Sequence, residues 1–245
     1  MPTQQPAHDT ADASERLIRA AAGALHANGQ DTEDTIASIG RLSTALARPA
    51  ALFPGWSDMA IQSATGRERT YLHAENATPS GVSMNRVAAV MRCIDAVCAG
   101  RLSLADAEAA IAQAGKAPPA SLPLFVLACV AAASALALIF GALHPASLGI
   151  IASSAGAGAA LRRLLLRHGA GALLQAFAAA LLAGVGGALA VHFRVGSASR
   201  LEAICPCMIL VPGPHLLNGA LDMSALRIPL GAARLAFAGL VLLSI

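Results

Sequence analysis

From Leu122 to Leu143 the chain runs twenty-two residues without a charged side chain. At 1.5 Å rise per residue, a helix of that length exceeds the roughly 30 Å hydrocarbon thickness of a bilayer. Pro118, Pro119 and Pro123 sit at its start, where proline is tolerated because the first helical N–H groups lack partners anyway. Four more apolar runs follow, over residues 146–166, 170–193, 203–221 and 229–245. The second reaches a full span once Arg162 and Arg163 lift their charges to the interface. The fourth contains Pro206, Pro212 and Pro214, and the fifth carries Arg234. Residues 121–245 therefore read as an all-α membrane domain of five transmembrane helices (122–143, 146–166, 170–193, 203–221, 229–245).

Charge divides the chain at the same place. Residues 1–120 hold ten Lys/Arg and twelve Asp/Glu, whereas residues 121–245 hold seven arginines and two acids, Glu202 and Asp222. The arginines punctuate apolar runs and do not cluster with aromatics, which argues against a nucleic-acid face. Short loops place Lys116, Arg162, Arg163, Arg167 and Arg227 on the N-terminal side and Arg194 and Arg200 on the other. The excess of positive loop charge predicts a cytoplasmic N-terminus, and Met1 to Thr10 is polar and lacks the apolar centre of a signal peptide. The apolar runs are rich in alanine, and Ser153 to Gly158 and Gly184 to Gly187 are strings of small residues, which suit close helix packing in a membrane.

Residues 1–120 read as an α+β domain. Leu17, Ile18, Ala21, Ala22 and Leu25 after Ser14 recur at helical spacing up to Asn28-Gly29, and a second helix is predicted over 32–46. Ala50–Phe53, Met59–Ser63 and Arg69–His73 read as strands, with Pro54-Gly55 and Thr65-Gly66 as turns. Residues 82–99 and 103–114 return to helix, the latter capped by Ser103 with Asp106 three positions on. Catalytic chemistry has no anchor here. Asp31, Glu33 and Asp34 fit a helix start, where negative charge is favoured. His8, His26 and His73 show no metal-ligand spacing, and neither a phosphate loop nor a nucleophile elbow is present. The chain is thus read as a non-enzyme without metal or cofactor. Cys93, Cys98, Cys129, Cys205 and Cys207 do not suggest a disulfide framework, and Cys205 and Cys207 read as packing residues in preference to a soft-metal site.

The stretch from Cys205 to Asp222 carries the most information. Three prolines and Gly213 inside one span should break the helix near Val211 to Pro214, and unwound backbone at membrane depth is tolerated only inside protein or beside a wet cavity. Transporters place substrate and ion sites at such breaks. His215, Asn218 and Asp222 follow at spacings of three and four, on one face of the second half-helix. Pro212, Gly213, Pro214, His215, Asn218, Asp222 and Arg234 are therefore the candidate substrate-binding residues. The alternative for Asp222 is that it ends its helix and pairs with Arg227.

The runs Leu210-Val211-Pro212-Gly213, Asn218-Gly219-Ala220-Leu221-Asp222 and Gly231-Ala232-Ala233-Arg234-Leu235 resemble the signature of the threonine/serine exporter family. Also similar are the Gly100-Arg101-Leu102-Ser103-Leu104 segment ahead of the first span and the arginine pair closing the second. In the N-terminal domain, Gly29 to Ile36 keeps Gly29 and Thr32 of a family run. The resemblance implies proton-motive-force-driven export of a small carboxylate, either threonine and serine or a C4-dicarboxylate such as succinate, in which His215 or Asp222 would relay protons and Arg162, Arg163 or Arg234 would attract the carboxylate. It also implies a location in the bacterial inner membrane. Five spans resemble the larger subunit of the split, two-component type, which needs a small membrane-protein subunit for the remaining helices and leaves a higher oligomer open. The competing reading is a membrane-anchored sensor or hydrolase acting through its cytoplasmic domain, for which a span with three prolines would serve no purpose.

Overall fold

The computed structural model describes residues 5–65, 68–74, 78–79, 81–193 and 199–245, with no side-chain description for 5–11, 63–65, 68–74 and 199. Arg194 and Gly66, both used above, lie outside the described residues, as do the side chains of His8 and His73. Among the described residues there are ten helices and one three-stranded sheet. The chain divides into two compact units. One comprises residues 1–119 and 214–235, the other residues 120–213 and 236–245.

The first unit opens with α1 (Gln5–Ala27) and α2 (Thr32–Ala45). Their junction follows from the residue types predicted to make it. Gly29 takes φ +84°, and the N–H groups of Gly29 and Gln30 close back on the carbonyls of His26 and Leu25, a glycine C-terminal motif. The Asp31 carboxylate then accepts from the Glu33 and Asp34 amides, so this acid is a helix cap. Strands β1 (Ala50–Pro54), β2 (Met59–Thr65) and β3 (Glu68–Ala74) form an antiparallel meander, with Leu52 opposite Ile61 and Ile61 opposite Leu72. Met59 and Ile61, two apart on β2, are buried. Helices α3 (Met84–Cys98) and α4 (Leu104–Gly115) follow, and the Ser103 hydroxyl caps α4 by accepting from the Asp106 amide. Leu17, Ile18, Leu25, Ile39, Leu42, Val90 and Ile94 form one core with Met59 and Ile61. The expected α+β order is present, and each helix and strand lies within a few residues of its predicted place except α1, which begins at Gln5, nine residues before Ser14.

The second unit contains α5 (Leu122–Ile139), α6 (Pro145–Arg167), α7 (Ala172–His192) and α8 (Ser199–Met208). Its interior is built from small side chains. Ala133 and Ala137 of α5, Ile151 and Ala155 of α6 and Cys205 of α8 form its buried cluster. Helices approach closely where a side chain is missing: a Cβ on Gly187 would stand 2.9 Å from that of Ala203. Large apolar side chains point outwards, including Leu124, Leu127, Leu181 and Val185.

The remaining helices are α9 (Gly213–Ser224) and α10 (Ile228–Leu243), and the boundary between the units falls within α10. Two helices, α5 and α7, are long and apolar enough to cross a membrane, and the count is three if α8 and α9 form one broken span. Helix α6 has the length, but Arg162, Arg163 and Arg167 crowd its end, and α10 has only sixteen residues. Of the five predicted spans, two to three are thus recognisable by length and apolarity.

Candidate functional site

The predicted break is visible in the backbone. Helix α8 stops at Met208 and α9 starts at Gly213, with Pro214 at the first helical turn, where its missing N–H costs nothing. In between, the Leu210 and Val211 amides reach back only three residues, to Cys207 and Met208, and the Gly213 amide bonds the Val211 carbonyl. Proline at 212 cannot donate, so the ladder ends there.

Helix α9 buries His215, Asn218, Gly219 and Asp222, a stripe at helical spacing, and exposes Leu217 and Leu221. The polar face is turned inwards and the apolar face outwards. Helix α10 crosses α9 at two glycines. A Cβ on Gly231 would lie 2.8 Å from the Gly219 carbonyl oxygen and 2.7 Å from Met223 Cγ, and one on Gly219 would lie 2.9 Å from Leu235 Cγ. Only glycine permits this approach, which places Arg234 beside Asp222.

The result is a buried ion pair with a hydroxyl between its members. Arg234 Nε is 3.1 Å from Asp222 Oδ2, and both residues are 1% exposed. Arg234 Nη2 donates to Thr32 Oγ1 at 3.2 Å, and Thr32 Oγ1 donates to Asp222 Oδ2 at 3.1 Å. Arg227 approaches the other Asp222 oxygen at 3.6 Å and donates to Glu33 Oε2 at the surface. Asn218 Nδ2 donates to the Gly29 carbonyl at 3.5 Å, and the Trp56 ring lies 6.4 Å from that of His215. The alternative reading of Asp222 is therefore half right: Arg227 is a partner, but the carboxylate is buried and Arg234 is nearer.

His26 completes the cluster's surroundings. Its Nε2–H donates to the Gly55 carbonyl at 3.0 Å, since a carbonyl can only accept. Burial, and then the positive charge of Arg234, push its pKa down to about 4, against a smaller opposing effect of the Gly55 bond. The ring is neutral at pH 7, and its Nδ1 is a buried acceptor without a hydrogen-bond partner among the described residues.

Six of the seven candidate residues are thus placed around one turn-and-helix segment, with the seventh, Arg234, brought to it by the glycine crossing. Thr32 and His26 were not predicted as members. Thr32 carried a signal in its place in the Gly29 to Ile36 run; His26 carried none. Glu202, one of the two acids after residue 120, is 1% exposed, with Oε1 unpartnered among the described residues.

Residues 16–245 match the family model ThrE, "Putative threonine/serine exporter". The chain belongs to the threonine/serine exporter family. No curated protein and no solved structure matches it. The family match takes in the whole second unit, the first unit from residue 16 onwards and every residue of the Asp222 cluster. Membership of an exporter family agrees with apolar helices that carry their large side chains outwards, and makes this a membrane protein of a transporter family.

Proposed function

We propose that this member of the threonine/serine exporter family moves small carboxylate metabolites out of the bacterial cell across the inner membrane, with threonine and serine as substrates and succinate as the alternative. The buried Asp222–Arg234 pair, bridged by Thr32, is the observation that carries the reading. An ion pair buried between helices, behind an apolar outer face of α9, is costly to build unless it is used or held by many bonds. The proton-motive force drives the step, with Asp222 or His215 as the group that changes protonation. Asn218 and the backbone released at Pro212, Gly213 and Pro214 contact the substrate. Arg234 sets the charge state of Asp222.

The N-terminus is cytoplasmic in this reading, following the loop-charge bias. Helices α5 and α7 span in this reading, and a small membrane-protein subunit supplies helices that complete the path. Efflux of threonine, serine and succinate is measured from cells expressing the chain with and without any small membrane protein encoded beside it. Export that requires both chains and falls at least about tenfold in the Asn218→Ala and Asp222→Asn variants supports the reading. Efflux unchanged in both variants removes the site assignment.

A further inference from the structure

Two arginines near the end of α6 stand beside the start of α5 with no acid to meet them. Arg163 Nη2 donates to the Ala120 carbonyl at 2.8 Å, and the Arg163 guanidinium lies 4.6 Å from the centroid of the Phe125 ring. The Arg162 guanidinium lies 6.0 Å from the same centroid. Helix α5 is one of the two helices long and apolar enough to cross a membrane, and it begins at Leu122. The pair is therefore level with one end of a span, where lipid headgroups begin. Among the described residues no ion pair involves Arg162, Arg163 or the exposed Arg167, one turn further on. Glu202, the one carboxylate side chain in residues 120–213 and 236–245, pairs with none of them.

Both Nε atoms of the pair are sealed from solvent and have no hydrogen-bond partner among the described residues. A guanidinium sunk this far ordinarily faces an acid, and one aromatic ring offsets only part of two such charges. Water would satisfy the N–H groups but brings no charge. On its inner side Arg162 borders a cavity of about 10 Å³, which admits a single water molecule, so no metabolite meets it from within. What neutralises the pair comes from outside, and the outer surface there is apolar. Leu166 follows the two arginines at three and four residues, shares their side of α6 and is exposed, as are Leu122 and Leu124 at the start of α5.

We infer that Arg162 and Arg163 bind the phosphate of an anionic phospholipid at this α5–α6 corner, with Leu122, Leu124 and Leu166 against its acyl chains. A phosphodiester offers the oxygens that a guanidinium fork grips, and the net negative headgroup supplies the missing counter-charge. Basic clusters between membrane helices recognise such headgroups. A free anion would neutralise the arginines but leave the leucines uncovered, whereas a lipid answers both. The site does not depend on what the chain exports.

The test is equilibrium binding of fluorescently labelled dioleoylphosphatidylglycerol to the full chain in a neutral detergent, with labelled dioleoylphosphatidylcholine, whose headgroup has no net charge, as the comparison. The wild type should bind phosphatidylglycerol at least about tenfold more tightly than phosphatidylcholine. The double variant Arg162→Gln, Arg163→Gln should lose at least about tenfold in phosphatidylglycerol affinity, and Arg162→Lys, Arg163→Lys should lose less. Arg200→Gln, at an exposed position on α8, should change it by less than about twofold. Melting curves check that the glutamine pair remains folded. Equal wild-type affinity for the two lipids overturns the site whatever the variants do. So does wild-type affinity in the folded glutamine pair, or an equal loss in Arg200→Gln, which would be general charge attraction. Displacement of phosphatidylglycerol by inorganic phosphate would identify a free-phosphate site, and displacement by threonine, serine or succinate a metabolite site; either overturns the lipid assignment. Efflux enters none of these readouts, so the exporter reading stands or falls separately.

Discussion

The two units are inside-out with respect to each other. In residues 1–119 with 214–235, the buried apolar side chains are large: Leu17, Ile18, Leu25, Ile39 and Leu42 are at most 1% exposed. In residues 120–213 with 236–245, the buried ones are mainly alanines, and Leu127 is 65% exposed. Water drives the first arrangement, because burying a leucine gains about 1.5–3 kcal/mol. Lipid removes that gain, so the second unit keeps leucine outside and uses alanine and glycine to bring helices together. In the first unit Asp222, Arg234, Thr32, Arg227 and Glu33 bond one another, although His26 Nδ1 and Arg234 Nε have no hydrogen-bond partner among the described residues, and in the second Ser154, Arg162, Arg163 and Glu202 also have such atoms.

The comparison breaks most severely at Asp222. In Asp222→Ala the Arg234 guanidinium stays buried without its carboxylate, and removing one partner of a buried pair costs about 3–5 kcal/mol. The expected result is a large loss of thermal stability in the detergent-solubilised chain. The double variant Asp222→Leu, Arg234→Leu should regain much of it, as neither charge then remains. A double variant no better than the single one would mean that the pair is not the stabilising feature.

The next test contrasts leucine with leucine. Leu25→Ala empties a fully buried site in the first unit and should cost about 2–5 kcal/mol. Leu127→Ala lies on the outward face of α5 and should change stability in detergent by less than about 0.5 kcal/mol. Equal losses would show that the outer face of α5 is packed against protein and is not open to lipid.

The pH dependence comes third. With a folded pKa of about 4 against the usual 6.5, His26 binds a proton less readily folded than unfolded. The stability it confers is complete above pH 6.5 and is lost as the pH falls from 6.5 towards 4, by at most about 3 kcal/mol. The slope of melting temperature against pH over that window should be steeper in the wild type than in His26→Gln. Equal slopes would place the titrating group elsewhere.

Local signals made much of this legible. The 3.6-residue recurrence from Leu17 to Leu25, the caps at Asp31 and Ser103 and the two-residue alternation of Met59 and Ile61 act over a few residues, and each reappears in the structure. The stripe of His215, Asn218 and Asp222 was readable for the same reason. What that stripe faces was not. Thr32 and Asp222 are 190 positions apart, and no periodicity joins them. The apolar character of residues 203–221 suggested a span, but composition cannot show that 214–235 clusters with residues 1–119. The glycines of the Asn218 to Asp222 and Gly231 to Leu235 runs, quoted for their resemblance, have a plain mechanical role as the contact points of α9 and α10.

The smallest effect sharpens the comparison at one position where the units share a property. Leu226 links α9 to α10, belongs to the first unit, and is 83% exposed, as leucines of the second unit are. Its φ of +60° is a left-handed conformation that places the Cβ against backbone, while the Arg227 amide closes on the Asp222 carbonyl at 2.8 Å. Glycine suits such a helix end without that clash. Leu226→Gly should therefore raise stability in detergent by about 0.5–1 kcal/mol, the relief of strain being partly offset by the freer unfolded chain. A loss of stability would mean that Leu226 packs against something in detergent. A gain in stability accompanied by a fall in efflux would assign the exposed leucine to the membrane or to the partner subunit, and would extend the lipid-facing surface to the segment that carries Asp222.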